Sequence, residues 1–361
     1  MIKILHFGLS AALAKGVLNQ LASERSAARM LSPEFSWDTK FFTLRQSEGD
    51  FVEAVSDGRR FGALYDYYAL RSRAFAWLKQ NRHRYDAVLL RYSCGDLIQY
   101  LNSAWFDNVF TVHHTFEIQE AKLAGGVRGT VKSSLEKELG ARVLARTKGV
   151  IGVTGEIVRY EQARIAAAKP SCCYPNGIDL SRSAPITDRR EGIPKLVMVA
   201  SYFDEWHGLD LVIASLKMQP EPFELHVIGR AKEDDIASCH SDSRFLFHGL
   251  RDQSYVREIC ERCDLGLSCF ALERKGMSEA CTLKVREYLA WGLPVYAGHK
   301  DEALPESFPF YRRGQADAAA LLRCALKWRE AGREQVRAEA TPFIDKRARM
   351  QELCSWLARQ V

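Results

Sequence analysis

The sequence predicts an α/β protein built from two doubly wound parallel sheets, and three observations carry that expectation. The chain has 361 residues, more than one compact core usually organises. Short continuous runs of apolar and β-branched residues recur along it, as expected for strands buried on both faces of a parallel sheet. Stretches of helical pattern separate these runs, and the whole series occurs twice.

In the first half the strand runs are IKILHF (2–7), DTKFFTL (38–44), AVLLRY (87–92), NVFTVH (108–113) and GVIGVT (149–154). In the second half they are KLVMVAS (195–201), FELHVIG (223–229), RFLFHG (244–249), DLGLSCF (264–270) and LPVYAG (293–298). The segment 172–194 gathers Pro, Gly, Ser and charge between the two series, a composition that marks a domain boundary. The expected domains are 1–172 and 173–345, with a C-terminal helix over 346–361 that packs back on the first. In that helix Met350, Leu353, Trp356 and Leu357 share one face. Because ligands of open α/β sheets bind beyond the carboxyl ends of the strands, the loops just after strands are where chemistry is expected.

Composition narrows the function classes. Apolar residues make up 47% and charged residues 27%, which excludes disordered, collagen-like and coiled-coil proteins. The net charge is +6. Residues 1–180 carry 24 Lys and Arg against 18 Asp and Glu, whereas 181–361 carry 27 of each, so the whole excess lies in the first half. Ten cysteines are too sparse for a disulfide scaffold. Cys260 and Cys263 form a lone C-x-x-C within a helical pattern, with no second pair to complete a zinc site. Reduced thiols imply the cytoplasm. The N-terminus, MIKILHFGLSAALAKG, is broken by Lys3 and His6 and reads as a buried first strand rather than a signal peptide. No run of 18 apolar residues occurs, so no membrane span is expected.

The most informative segment is Arg274–Gly298, RKGMSEACTLKVREYLAWGLPVYAG. Leu283–Trp291 has helical patterning ended by Gly292 and Pro294, and Thr282 suits the N-cap. A loop entering a helix here offers the N–H groups of Cys281, Thr282 and Leu283 to an anion. Glu279 precedes the helix and Glu287 lies eight residues later. A carboxylate accepts two hydrogen bonds at once and so suits the paired hydroxyls of a ribose or hexose. Taken alone, two glutamates read first as solvated surface charges, because carboxylates are mostly exposed.

Four motifs in order weigh against that bland reading. Glu279-x7-Glu287 followed by YLAWGLPVYAG resembles the signature of retaining glycosyltransferases of the GT-B fold, family GT4 (glycosyltransferase group 1). PNGID, Pro175–Asp179, is similar to that family's interdomain element. VASYFDEWHGLDLVIASL (199–216) resembles its first C-domain strand, loop and helix, and 247–270 resembles its nucleotide-side strands. The resemblance is ordered over about 150–298 and weaker over 1–149.

The resemblance implies two Rossmann-like domains facing across a cleft, the second binding a UDP- or GDP-linked sugar and the first an acceptor. Glu287 would hold the ribose hydroxyls and Glu279 the donor sugar's hydroxyls. The 281–283 amides would bind the distal phosphate, and Gly249 would line the base pocket. Where the family carries an Arg and a Lys for the diphosphate, this chain has Ser201 and His207. Protonated His207, Arg274, Lys275, Lys284 and Arg230 are the candidate replacements. The segment from Ala280 to Thr282 replaces a glycine-rich turn.

In the first domain His113 fits the family's histidine near the reacting carbon. His114 points to the opposite face, since neighbours on a strand alternate. The loop from Gly8 to Gly16 is expected to face the cleft on the acceptor side. Its spacing is not G-x-G-x-x-G, which argues against an NAD enzyme. No Asp-x-Asp and no carboxylate cluster with metal spacing is visible, so no metal and no cofactor are expected.

The basic excess centres on residues 59–86, where Arg59, Arg60, Arg71, Arg73, Lys79, Arg82 and Arg84 interleave with Phe61, Tyr65, Tyr67, Tyr68, Phe75 and Trp77. Such a segment either lies on an anionic membrane surface or packs its aromatic face into the domain. Nucleic acid is not expected as a partner, since no recognition motif occurs.

The expectation is a metal-independent hexosyltransferase acting on a glycan or lipid-linked saccharide in bacterial surface polysaccharide or lipopolysaccharide assembly. It would be cytoplasmic or lie on the inner face of the cell membrane. The alternatives are a non-catalytic GT-B subunit that binds a glycan or protein partner and, by fold analogy alone, an epimerase or phosphorylase.

Overall fold

The computed structural model describes residues 1–11, 15–44, 49–55, 62–123 and 125–361. The chain forms two compact units, Met1–Pro175 with Lys346–Val361, and Asn176–Asp345.

In chain order, unit 1 contains β1 (Ile2–Ser10), α1 (Lys15–Ala28), β2 (Phe35–Thr43), β3 (Val52–Ala54), α2 (Ala63–Asn81), β4 (Ala87–Arg91), α3 (Leu97–Asn102), β5 (Val109–His113) and α4 (Glu117–Leu123). It continues with α5 (Gly126–Leu135), α6 (Ala141–Arg146), β6 (Gly149–Gly152), α7 (Gly155–Gln162) and β7 (Ser171–Cys173). Unit 2 contains β8 (Lys195–Tyr202), α8 (Leu209–Lys217), β9 (Glu224–Arg230), α9 (Glu233–Ser238), β10 (Phe245–Gly249), α10 (Gln253–Arg262) and β11 (Leu265–Ser268). Then come β12 (Glu279–Ala280), α11 (Leu283–Ala290), β13 (Val295–Ala297), β14 (Lys300–Asp301), β15 (Tyr311–Arg313), α12 (Ala318–Arg329) and α13 (Arg333–Ile344). The chain then returns to unit 1 as α14 (Lys346–Ala358).

Every paired strand is parallel. The sheet of unit 1 runs β3-β2-β1-β4-β5-β6-β7 and that of unit 2 runs β10-β9-β8-β11-β13-β15. In each, the first strand sits centrally, the chain winds to one edge, and then it crosses back. That reversal opens a crevice at the strand carboxyl ends, between β1 and β4 and between β8 and β11.

The unbroken apolar runs have the expected cause. Leu5, Phe7, Leu9, Val88 and Leu90 pack on one face of the first sheet with Leu70, Ala74, Phe75 and Leu78 of α2. Ile4, Leu89, Phe110, Val112 and Ile151 face the other way, onto Met350, Leu353, Cys354 and Leu357 of α14. Alternate residues therefore serve opposite cores, and none can be polar without loss. The three-residue strands β3, β7 and β15 were not expected from the sequence, because their segments carry no apolar run.

A buried charge cluster fixes α14. Lys346 Nζ lies 3.4 Å from Glu24 Oε1, and His6 Nδ1 lies 2.6 Å from Glu24 Oε2. All three side chains are enclosed. Burial drives the Glu24 carboxyl upward, but His6 and Lys346 outweigh it and hold it at about 2. A depressed carboxyl stabilises the fold above its unfolded value near 4.5, and that contribution disappears as pH falls toward 2. Glu24→Gln should cost on the order of 3 kcal/mol at pH 7 and little near pH 2, where the wild-type carboxyl is about half protonated. Urea unfolding across that range measures the difference; equal pH profiles would refute it.

Candidate functional site

In unit 2 the loops after β8 and β11 meet across the reversal of strand order. Phe270 N–H donates to the His207 carbonyl at 2.9 Å and Ala271 N–H to that of Trp206 at 3.3 Å. Met277 to Thr282 then leads into α11. Within this stretch β12 pairs with β14, setting Glu279 beside Lys300 and Ala280 beside Asp301. The Glu279 side chain is nearly buried, with Lys300 Nζ 3.7 Å from Oε1.

Thr282 is the N-cap, its hydroxyl accepting from Val285 N–H at 3.3 Å. Helix geometry leaves the N–H groups of Leu283 and Lys284 without intrahelical acceptors. Val285, Arg286, Tyr288 and Leu289 are buried, while Thr282, Leu283, Lys284 and Glu287 are partly exposed. The accessible face of α11 thus carries the cap, the free amides and the Glu287 carboxylate, which accepts from Lys284 Nζ at 2.5 Å. Gly292 ends the helix at φ +81, and a Cβ there would stand 2.2 Å from the Arg333 carbonyl oxygen, so only glycine fits.

The loop is held from behind by groups the sequence reading missed. Arg286 makes two 2.6 Å hydrogen bonds to Asp301, both side chains fully buried. The same guanidinium donates to the Asn176 carbonyl at 2.9 Å and to Cys281 Sγ at 2.7 Å. Asn176 in turn donates through Nδ2 to the Cys281 carbonyl at 2.6 Å and through N–H to Cys281 Sγ at 3.0 Å. Cys281 is thus a buried packing and tethering residue. The signal available was the Asn of PNGID; its partner 105 residues away leaves no local trace.

Ser201 lies at the exposed end of β8, and Arg230 ends β9 with its guanidinium over the exposed Tyr202 ring at 5.6 Å. Gly249, the last residue of β10, is exposed at φ +66, and a Cβ there would meet nothing. Its glycine answers to backbone conformation, leaving open space above it.

The candidate diphosphate cations separate clearly. His207 is corrected as a cation: its Nδ1 accepts from Asp204 N–H at 3.0 Å, and burial lowers its pKa, so the ring is neutral at pH 7. Arg274 is engaged by Asp210 at 3.0 and 2.8 Å and by Glu205. Lys275 sits 4.3 Å above Trp206. Arg230 is exposed, and Lys284 is partly exposed with its ammonium paired to Glu287. Cys260 and Cys263 are wholly buried, and burial raises the Cys260 thiol to about 12, so neither thiol is reactive.

Unit 1 departs further from expectation. Gly8 lies inside β1, buried, where a Cβ would stand 2.3 Å from Phe41. It is a packing residue and not part of a ligand loop. Gly16 is exposed in the first turn of α1, and residues 12–14 between them lie outside the described residues. His113 is the last residue of β5 and is completely buried, so its ring presents no surface to a substrate. His114 is partly exposed, its Nε2 at 2.8 Å from Arg91 Nη1, with a pKa well below the usual value through burial and Arg91.

The His113 ring instead meets two carboxylates, contrary to the expectation that no such cluster exists. Its Nδ1 lies 2.8 Å from Glu117 Oε1 and 3.8 Å from Glu161 Oε1, and Tyr92 stacks on it at 4.5 Å. Burial lowers the His113 pKa and pushes Glu117 and Glu161 each up to about 8. His113-x3-Glu117 was visible in sequence; Glu161, from α7, was not.

On α2, Phe75 is buried and Trp77 stacks on Phe7, while Leu64, Tyr65 and Tyr68 stand exposed. Arg71 pairs with Asp96, Arg73 with Glu53 and Arg82 with Asp107. The packing expectation therefore holds for Phe75 and Trp77, while the other end of the helix leaves Leu64, Tyr65 and Tyr68 uncovered; Arg59, Arg60 and Phe61 lie outside the described residues. Exposed apolar residues continue on α3 (Leu97, Leu101) and α5 (Val127, Val131), where Arg128 and Lys132 are exposed beside them. Among the described residues no helix is long and apolar enough to cross a membrane.

Two Rossmann-like units of this kind define the GT-B fold, the class to which the chain's architecture belongs. No protein-family model matches the chain, and no curated protein matches it in sequence. Solved structures do. The Anabaena protein Alr3699/HepE in complex with UDP and glucose superimposes with a TM-score of 0.67 at 16% identity, covering 99% of this chain and 100% of that one. The lipopolysaccharide outer core galactosyltransferase WaaB, in its apo form, gives 0.64 at 12% identity over all of both chains. WaaG, a glycosyltransferase involved in lipopolysaccharide biosynthesis, gives 0.56 at 17%, covering 99% and 98%. At these identities the likeness is one of fold.

The tether makes a direct prediction. Asp301→Asn leaves the Arg286 guanidinium buried without its counter-charge and should cost about 3–5 kcal/mol. Denaturant unfolding that shifts by less than about 1 kcal/mol would contradict that role for the pair.

Proposed function

We propose that the chain is a retaining glycosyltransferase of the GT4 type, moving a hexose from a UDP- or GDP-linked donor to a hydroxyl of a glycan or lipid-linked saccharide in bacterial surface polysaccharide or lipopolysaccharide assembly. The observation that carries this reading is Glu279 and Glu287 bracketing a capped, rigidly tethered helix start at the crevice end of a GT-B unit. The amides of Leu283 and Lys284 receive the distal phosphate, Glu287 accepts from the ribose hydroxyls, and Glu279 accepts from hydroxyls of the sugar. The base lies over the open space at Gly249.

In the reaction the acceptor oxygen bonds to the anomeric carbon on the face from which the diphosphate departs. The bond from that carbon to the diphosphate oxygen breaks, and the acceptor proton passes to that oxygen. Negative charge grows on the leaving diphosphate, and stabilising it is the largest task of the site. Arg230 and Lys284 supply the positive charge, with no metal required. On the acceptor side Ser10 ends β1 and His114 follows the last residue of β5, both at strand carboxyl ends of unit 1.

Glu279→Gln should lower kcat about 100-fold or more. Glu287→Gln should weaken UDP or GDP binding about 10- to 100-fold in calorimetry. Wild-type transfer in both variants would refute the site. Arg230→Ala should cut kcat by about 100-fold with a smaller change in KM. A non-catalytic subunit is the second reading, favoured by Ser201 and the neutral His207; absence of binding to either nucleotide would select it.

The acceptor reading includes a membrane surface. The apolar and basic residues on α2, α3 and α5 suit a bilayer with anionic headgroups. Val127→Asp with Val131→Asp should reduce sedimentation with phosphatidylglycerol vesicles about 10-fold or more while leaving soluble-nucleotide binding intact. Equal sedimentation would remove this surface from the proposal.

A further inference from the structure

We propose that His113, Glu117 and Glu161 form a buried site for one divalent transition-metal cation of the zinc class, separate from the donor site. One ligand atom from each residue lies within 4.8 Å of the other two. The recorded separations from His113 Nδ1, 2.8 Å to Glu117 Oε1 and 3.8 Å to Glu161 Oε1, bracket the spacing of about 3.4 Å that tetrahedral bonds of roughly 2.0–2.1 Å require. Imidazole nitrogen and carboxylate oxygen are both zinc ligand types, and three protein ligands would leave a fourth tetrahedral position open.

Charge and hydrogen bonding point independently to a missing cation. Of three enclosed carboxylates, Glu117, Glu136 and Glu161, two pair with the Arg164 guanidinium, Glu136 and Glu161. Glu136 is fully served: it accepts from Arg164 at 2.6 Å, from the Tyr92 hydroxyl at 3.0 Å and from Gly95 N–H at 2.6 Å. Arg164 Nη1 takes the outer oxygen of Glu161, Oε2, at 2.6 Å. That leaves Glu161 Oε1 and Glu117 Oε2, both buried, with no hydrogen-bond donor among the described residues. These oxygens belong to the two carboxylates that converge on His113 Nδ1, and an ionised carboxylate oxygen left bare out of water is costly. A divalent cation bound through Glu161 Oε1 supplies the partner that this oxygen lacks.

The surroundings suit such a site. Tyr92 stacks on the imidazole and fixes its plane, and Arg164 orients Glu161 from outside the ligand set, the supporting role outer groups play around bound metals. His113 Nδ1 would give up its hydrogen bond to Glu117 to become a ligand, passing the ring proton to Nε2. The cation would join the end of β5, the first turn of α4 and the last turn of α7. Its role is to brace the strand end beneath His114; the enclosed ligands touch no substrate. The competing occupant is a proton shared between the two carboxyls.

The test uses the full chain, stripped with a chelator and then titrated with Co2+ and Zn2+. We expect one equivalent per chain by elemental analysis, visible d–d absorption typical of tetrahedral cobalt, and a rise in Tm. Absence of thiolate-to-cobalt charge transfer separates this site from the ten cysteines. Loss of outer groups alone commonly costs 10- to 100-fold in metal affinity, so removing two ligands should cost more than about 100-fold. The probe is Glu117→Gln with Glu161→Gln, which keeps shape and lightens the buried charge, so folding is preserved. Stoichiometric uptake lost in that variant supports the proposal. No stoichiometric uptake by wild type, or uptake unchanged in the variant, overturns it. A protonated-carboxyl stretch in the infrared that disappears in Glu117→Gln would then identify the proton as the occupant. None of these readouts depends on transferase activity.

Discussion

Unit 2 depends on one buried ion pair. Arg286 projects from the hidden face of α11 and Asp301 from a two-residue strand, and neither has access to water. Desolvating both charges is unfavourable, and replacing them with apolar groups would often be neutral or better for stability alone. What the pair provides is position. Through Arg286, the first residue of unit 2, the loop that enters α11 and the strand after β13 become one piece. The candidate sugar and phosphate ligands sit on that piece, so their spacing is set by covalent geometry and a low-dielectric pair, not by flexible surface loops.

A second regularity concerns where positive charge is left over. Around the crevice of unit 2, Arg274 is neutralised by Asp210 and Glu205, and Lys232 by Glu205. Exposed pairs of this kind add little stability. Their consequence is electrostatic: only a few cations remain uncommitted beside the accessible amides. A substrate carrying its own two negative charges would then be oriented by Arg230 and by the helix start, instead of being attracted everywhere.

The fold was legible to the extent that burial dictates composition. β1, β4 and β5 must be apolar on both faces, and that requirement writes itself into consecutive residues. β3, β7 and β15 lie at or near sheet edges and are three residues long, so no such requirement marks them. For the site, Thr282, Glu287 and Gly292 were readable because capping, helical spacing and positive φ are local rules. Asp301, Glu161 and Lys346 were not, since each acts on a group brought near only by the fold. The strand-end histidines show the limit most plainly. Alternation said correctly that they face opposite ways, but which one is buried depends on α4 and α7, which no periodicity of β5 records.

The return of the chain into unit 1 bears on how the protein is made. Unit 2 is a continuous stretch and has everything it needs once Asp345 is synthesised. Unit 1 does not: one face of its sheet, including Ile4, Leu89 and Phe110, is covered by Met350, Leu353 and Leu357 from the last helix. Domains generally fold in the order they emerge during synthesis, yet here the earlier one waits for the later. Through the translation of some 170 intervening residues, a greasy sheet face and the Glu24 carboxylate stand without their cover. A ribosome stalled before α14 would therefore hold a finished second unit on an unfinished first, the species on which a holdase would act.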